Sequence, residues 1–171
     1  GAVMAFDGAL AINASFVPAL TQKGLSLFIL KRYEEAASSL GAALDLDSEQ
    51  FDARYHQGVA YHHLGNAAEA LASFDQAIRL DSRSFAAHFE KGLILSEQEE
   101  WDASVAEFQL AIECNGERKE AHYALGLALY ALVRYAEARD AFAKTAILDP
   151  GYADAHYHEG LCSEHLEQYA E

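Results

Sequence analysis

Basic side chains are scarce in this sequence. Twelve Lys and Arg stand against 27 Asp and Glu, a formal net charge of −15. Such a surface repels a phosphate backbone and an anionic membrane face, so neither nucleic acid nor a membrane is an expected partner. A basic protein or peptide is allowed. Proline is almost missing, at two residues in 171, and there are only two cysteines, Cys114 and Cys162. Their separation makes neither a metal-ligand spacing nor a redox pair. They read as small apolar thiols. No apolar run approaches the roughly 18 residues that cross a bilayer. The start, Gly1-Ala2-Val3-Met4, carries no basic leader and no cleavage site. No phosphate loop, nucleophile elbow or metalloprotease motif occurs. The chain is therefore expected to be no enzyme and to need no cofactor. Nothing addresses it to a compartment, and the cytoplasm is the default expectation.

What the sequence has is alanine, aromatics and a period. About half the residues are apolar, with nine Tyr, nine Phe and one Trp, a mix that favours helix. Gly24, Gly58, Gly92, Gly126 and Gly160 are each 34 residues apart. Ala19, Ala53, Ala87, Ala121 and Ala155 keep the same step, and so do Leu40, Phe74, Phe108 and Phe142. Small residues recur at Ala36, Ala70, Ser104 and Ala138, and again at Ala43, Ala77, Ala111 and Thr145. Asn13, Asp47, Asp81, Asn115 and Asp149 close each unit, the last followed by Pro150, a helix stop. A repeat of this length is one supersecondary unit that buries its apolar face against its neighbours. A helical glycine costs about 1 kcal/mol against alanine. Five in register therefore predict a close helix crossing, with the Ala36 column as the facing partner.

With position 1 of each unit at Val17, Phe51, Phe85, Lys119 and Ala153, these columns resemble the tetratricopeptide repeat. The matching features are Gly at position 8, a small residue at 20, an aromatic at 24, Ala at 27 and Pro at 32. The resemblance implies an all-α, right-handed superhelical solenoid of antiparallel helix hairpins, about ten helices in one domain. The frame divides the chain into a second helix at 1–16, full repeats at 17–50, 51–84, 85–118 and 119–152, and a first helix at 153–171. Both ends then fall inside a repeat, which predicts a slice of a longer array. Phe6, Leu10 and Ile12 lack a partner helix before them, and Leu161 and Cys162 lack one after. Head-to-tail contacts between copies are the expected consequence. Two columns depart from the pattern. Position 4 holds His88, His122 and His156, read as half-buried structural residues. Position 7 holds Lys23, Gln57 and Lys91, whose stems can cover apolar surface while their charges reach water.

In the family this resembles, first helices line a concave groove through positions 2, 5, 9 and 12. Here those positions supply Thr21, Tyr55, Phe89, Tyr123 and Tyr157, then Leu25, Val59, Leu93, Leu127 and Leu161, then Phe28, His62 and Tyr130. Asp52, Glu120 and Asp154 give the strip an acidic margin. An apolar strip of that length predicts a scaffold that binds a peptide or helix of a partner protein, one that can carry basic flanks. The same Tyr, Phe and Leu residues can instead serve packing between repeats. The Lys and Asn residues with which some family members clamp chaperone carboxylates are missing from these positions. The alternative function is a substrate-recognition or targeting segment of a larger enzyme. The eight histidines make no ligand spacing beyond His158 and His165, which lack a third partner. Glu97, Glu99, Glu100 and Asp102 cluster beside Trp101, as a solvated turn or a contact for a basic partner.

Overall fold

In the computed structural model, residues 1–168 are described. They form ten helices, in two compact units that divide between Ser82 and Arg83. The first unit holds α1 (Ala2–Ile12), α2 (Val17–Ile29), α3 (Tyr33–Leu46), α4 (Phe51–His63) and α5 (Ala67–Leu80). The second holds α6 (Phe85–Glu97), α7 (Trp101–Cys114), α8 (Lys119–Ala131), α9 (Tyr135–Leu148) and α10 (Ala153–Gln168). The last three residues of the expected 153–171 helix lie outside the described residues. Within each unit consecutive helices pack as hairpins; α2 also touches α4, and α6 touches α8.

The glycine column explains the pairing. A Cβ on Gly92 would sit 2.6 Å from the Phe108 ring, and one on Gly126 would sit 2.6 Å from Phe142. On Gly58 it would approach Phe74 at 2.9 Å, and on Gly24 it would strike Leu40 at 2.6 Å. The close crossing is as expected, but the nearest atoms belong to the large side chain at position 24 and not to the small column at position 20. Ala36, Ala70, Ser104 and Ala138 are nonetheless fully buried, as are Ala43, Ala77, Ala111 and Thr145. Where a hydroxyl replaces a methyl there, it finds a partner, because an unpaired buried polar group is costly. Ser104 pairs with Ser96 at 2.9 Å, and Thr145 donates to the Ala141 carbonyl at 3.1 Å.

Two different turns join the helices. The first helices α2, α4, α6 and α8 each end with a residue in the left-handed region: Lys31 (φ 59°), Gly65 (φ 76°), Glu99 (φ 60°) and Val133 (φ 60°). Their N–H groups, and those of the next residues, bond back to the helix end, for example Val133 to Tyr130 at 2.9 Å and Arg134 to Leu129 at 2.9 Å. This pairing satisfies carbonyls the helix leaves open, and glycine is its natural residue. Each second helix ends on the Asn/Asp column. Asn13, Asp47, Asn115 and Asp149 accept side-chain bonds from the N–H two residues on, at 3.0–3.2 Å. That local turn explains the Asn/Asp preference.

Three readings change. Lys23 and Lys91 do not send free charges to water: they pair with Asp7 and Glu107, each at 2.7 Å. Gln57, in the same column, is buried and donates to the Ala37 carbonyl at 3.4 Å. Cys162 is fully buried in the core of the second unit, beside Phe142 and Leu129, so its thiol is not part of an open face. Ile12, by contrast, is 91% exposed, and α1 buries no residue.

Two stability tests follow. Gly126→Ala should destabilise by about 1–3 kcal/mol, the usual cost of overpacking. Gly160, which has nothing within 4 Å of an added Cβ, should gain up to about 1 kcal/mol as Ala. Urea denaturation of both variants checks the opposed signs. Val133→Gly should stabilise by about 1 kcal/mol, since a branched residue holds a positive φ at an exposed turn. A lowered denaturation midpoint for that variant would refute the turn argument.

Candidate protein-binding surface

The first helices carry the residues expected to bind. In the second unit Phe89, Leu93, Tyr123 and Tyr130 all pack against one core built from Phe108, Leu125, Leu129 and Phe142. The position 5 rings rest on the position 24 rings. Phe89 lies 5.8 Å from Phe108 and Tyr123 lies 5.6 Å from Phe142, between ring centroids. In the first unit Tyr55 lies 5.9 Å from Phe74 in the same way. These three rings therefore serve packing on one side and remain partly exposed on the other. Tyr157 is 64% exposed and Leu127 is 39% exposed; Leu161 is half-buried. Thr21 is turned to structure, its hydroxyl donating to Gln50 at 2.7 Å. Leu25 packs on the Leu40–Leu44 core of the first unit, and Val59 and His62 are half-buried.

Between α6, α7 and α8 the surface opens into a cleft of about 430 Å³, whose lining includes Leu93, Ser96, Trp101, Phe108 and Leu127, with Glu97 as its charged member. Leu93 and Leu127 were expected at this surface from their repeat position; Trp101 was not among them. Aromatic pairs at the ends of the first helices were also missed. Phe28 meets Tyr33 at 5.6 Å, and Tyr33 stacks on His63 at 4.3 Å. In the second unit Tyr130 meets Tyr135 at 5.3 Å, and Tyr135 stacks on His165 at 4.4 Å. The signal was present in sequence: an aromatic at position 17 and a His at position 13 of the next repeat, the spacing being the same in both units.

The histidines divide by partner. His88 and His122 are buried more deeply than expected. His88 Nδ1 lies 2.7 Å from Glu107, whose other oxygen meets Lys91. His122 and His156 each reach a carbonyl six residues back, Gly116 at 3.0 Å and Pro150 at 3.2 Å. These are struts between helix and turn. His158 lies 2.8 Å from the Asp154 carbonyl, and His165 lies 2.9 Å from the Tyr130 hydroxyl. His56 sits between Phe28 and Tyr55, and its buried Nδ1 has no hydrogen-bond partner. Burial pushes its pKa below the ordinary value, against a smaller upward pull from Asp52. The imidazole is thus neutral at pH 7, which keeps this stretch of the surface apolar. Burial likewise raises the Tyr123 and Tyr130 hydroxyls, which stay protonated.

Several acidic side chains near these helices are already paired. Lys119 pairs with Asp149, the ammonium raised and the carboxylate lowered by that bond, and it lies 5.4 Å from the Tyr152 ring centroid. Arg118 bonds Glu120 at 3.3 Å and stacks over Phe85 at 4.6 Å. No helix among the described residues is long and apolar enough to cross a membrane.

Among curated proteins none matches this sequence. Solved structures do. MamA is 23% identical, with a TM-score of 0.85 over 90% of this chain and 84% of that one. A MamA from Desulfovibrio magneticus RS-1, from residue 41 to its end, is 21% identical, with a TM-score of 0.81 over 88% and 85%. YrrB, described as a TPR protein with an unusual peptide-binding site, is 28% identical, with a TM-score of 0.84 over 95% and 84%. The tetratricopeptide repeat family model matches residues 21–85, 64–118, 89–153 and 123–171. With its 34-residue hairpins, its buried glycine crossings and that match, the chain belongs to the tetratricopeptide repeat family.

Proposed function

We propose that this chain is a protein-interaction module whose first helices hold a peptide or short helix of a partner protein. The observation that carries the reading is the cleft lined by Leu93 and Leu127 over Phe108. Partly exposed Tyr123 and Tyr130 pack on the same core, and together these side chains offer apolar surface on a scaffold that is already folded. Pre-formed apolar clefts with few polar groups are where peptides and small ligands bind. The peptide-binding site described for YrrB supports the same use here. A carboxylate clamp is not part of the proposal, because no groove residue named above is Lys, Arg or Asn. Nor is nucleic acid, given the net charge of −15. The reading assigns the chain no chemistry of its own.

The test is selection of a random 12-residue peptide library on the immobilised chain. Peptides with bulky apolar residues should be enriched. Leu127→Glu should weaken them at least tenfold, about 1.4 kcal/mol, without lowering the melting temperature, since Leu127 is already partly in water. Retention of every selected peptide by Leu127→Glu would remove this cleft as the binding surface.

The proposal extends to self-association. Met4 and Ile12 leave α1 with an open apolar face, and Tyr157 does the same for α10. Contact between the α1 face of one copy and the α10 face of another would cover both. Sedimentation should then show mass rising with concentration, and Ile12→Glu should hold the chain monomeric; a monomer at every concentration contradicts it.

A further inference from the structure

Trp101 is the sole tryptophan of the chain, and it lines two openings in the second unit. One is the apolar cleft over Phe108, with Leu93 and Leu127. Its size, about 430 Å³, falls in the range of about 300–1,000 Å³ typical of ligand pockets. The other is a smaller opening of about 340 Å³, lined by Glu99, Glu100, Asp102 and Leu132. No Lys or Arg lines either opening. Arg134, whose guanidinium Asp102 helps to hold above its ordinary pKa after the larger effect of its bond to Glu137, is already held by both oxygens of Glu137. One Asp in the first turn of α7 is accounted for by the helix dipole. Glu100 is the N-cap of the same helix, and Glu99, on the turn before it, is not accounted for in this way. Apolar and anionic surface therefore meet across one indole ring.

An indole face is the strongest aromatic platform for a cation, and arginine stacks on it while keeping its N–H groups for carboxylates. We propose that the two openings together receive a basic–apolar peptide segment of a partner protein. A bulky apolar side chain enters the cleft over Phe108. An adjacent arginine stacks on Trp101 and bonds the carboxylates of Glu99, Glu100 and Asp102. Charge complementarity selects this occupant: the chain carries 27 acidic against 12 basic residues, and three carboxylates flank the ring. The inference rests on the peptide-binding reading above and adds to it where the basic residue goes.

Trp101 makes the test direct, because all tryptophan emission comes from the site. Three capped 12-residue peptides in a neutral, tryptophan-free host are titrated: one containing Leu-Arg-Arg, one with Leu-Glu-Glu and one with Ser-Arg-Arg. The Leu-Arg-Arg peptide should change Trp101 emission saturably and bind at least tenfold more tightly than either control. Its affinity should fall as salt rises. The variant Glu99→Gln, Glu100→Gln, Asp102→Asn changes only exposed side chains. It should stay folded, losing only the stabilisation that these charges give the α7 N-terminus, and lose at least fivefold in affinity for Leu-Arg-Arg. Equal binding of Leu-Arg-Arg and Leu-Glu-Glu, both lost in Leu127→Glu, overturns this inference and leaves the apolar cleft standing. Unchanged affinity in the triple variant overturns it as well, as does Ser-Arg-Arg binding as tightly as Leu-Arg-Arg. If the Leu-Arg-Arg peptide does not bind at all, the inference falls, while the library selection decides the broader reading separately.

Discussion

In each complete hairpin, a glycine of the first helix lies against one large side chain of the second. Gly24 meets Leu40, Gly58 meets Phe74, Gly92 meets Phe108 and Gly126 meets Phe142, with no room for a Cβ between them. That contact sets how near the two helices come. Because they are near, the other facing positions must be small, which is why the alanine columns are fully buried. It also fixes the floor of the candidate surface. The ring that fills the space over the glycine is the ring on which Tyr55, Phe89 or Tyr123 rests.

The surface is consequently shared between two duties. Residues that lean on the core rings are packed on one side. Leu127 and Tyr157 stand further into water and lose apolar exposure only when something covers them. Rigidity beneath and exposure above is the arrangement that lowers the entropic cost of binding. The neutral His56 contributes to it in the first unit by leaving no charge between Phe28 and Tyr55.

The turns show how far local chemistry is tolerated to differ. Four first helices end in the same left-handed turn, yet only Gly65 has the residue that this backbone prefers. The return bonds and the packing of the hairpin carry Lys31, Glu99 and Val133 through the same geometry. The second helices end instead on Asn or Asp, whose side chains make the turn themselves. The first kind of turn leaves little trace in sequence, because its cost is met by tertiary packing. The second kind is visible as a column of Asn and Asp.

Periodicity predicted the repeating unit and the close crossings, while the hairpin pairing and the candidate surface came from the resemblance of those columns to the tetratricopeptide repeat. This followed because a side chain repeated every 34 residues meets the same environment each time. What faces what across a hairpin was decided by tertiary structure, since spacing along one helix does not specify the atoms of the next. That is why the ring column, and not the alanine column, met the glycines. It is also why Lys23 and Lys91 found carboxylates, why His88 and His122 became buried struts, and why Cys162 entered the core. Trp101 shows the same division. Its acidic neighbours were legible, but only packing of α6, α7 and α8 placed its indole between an apolar cleft and an acidic one.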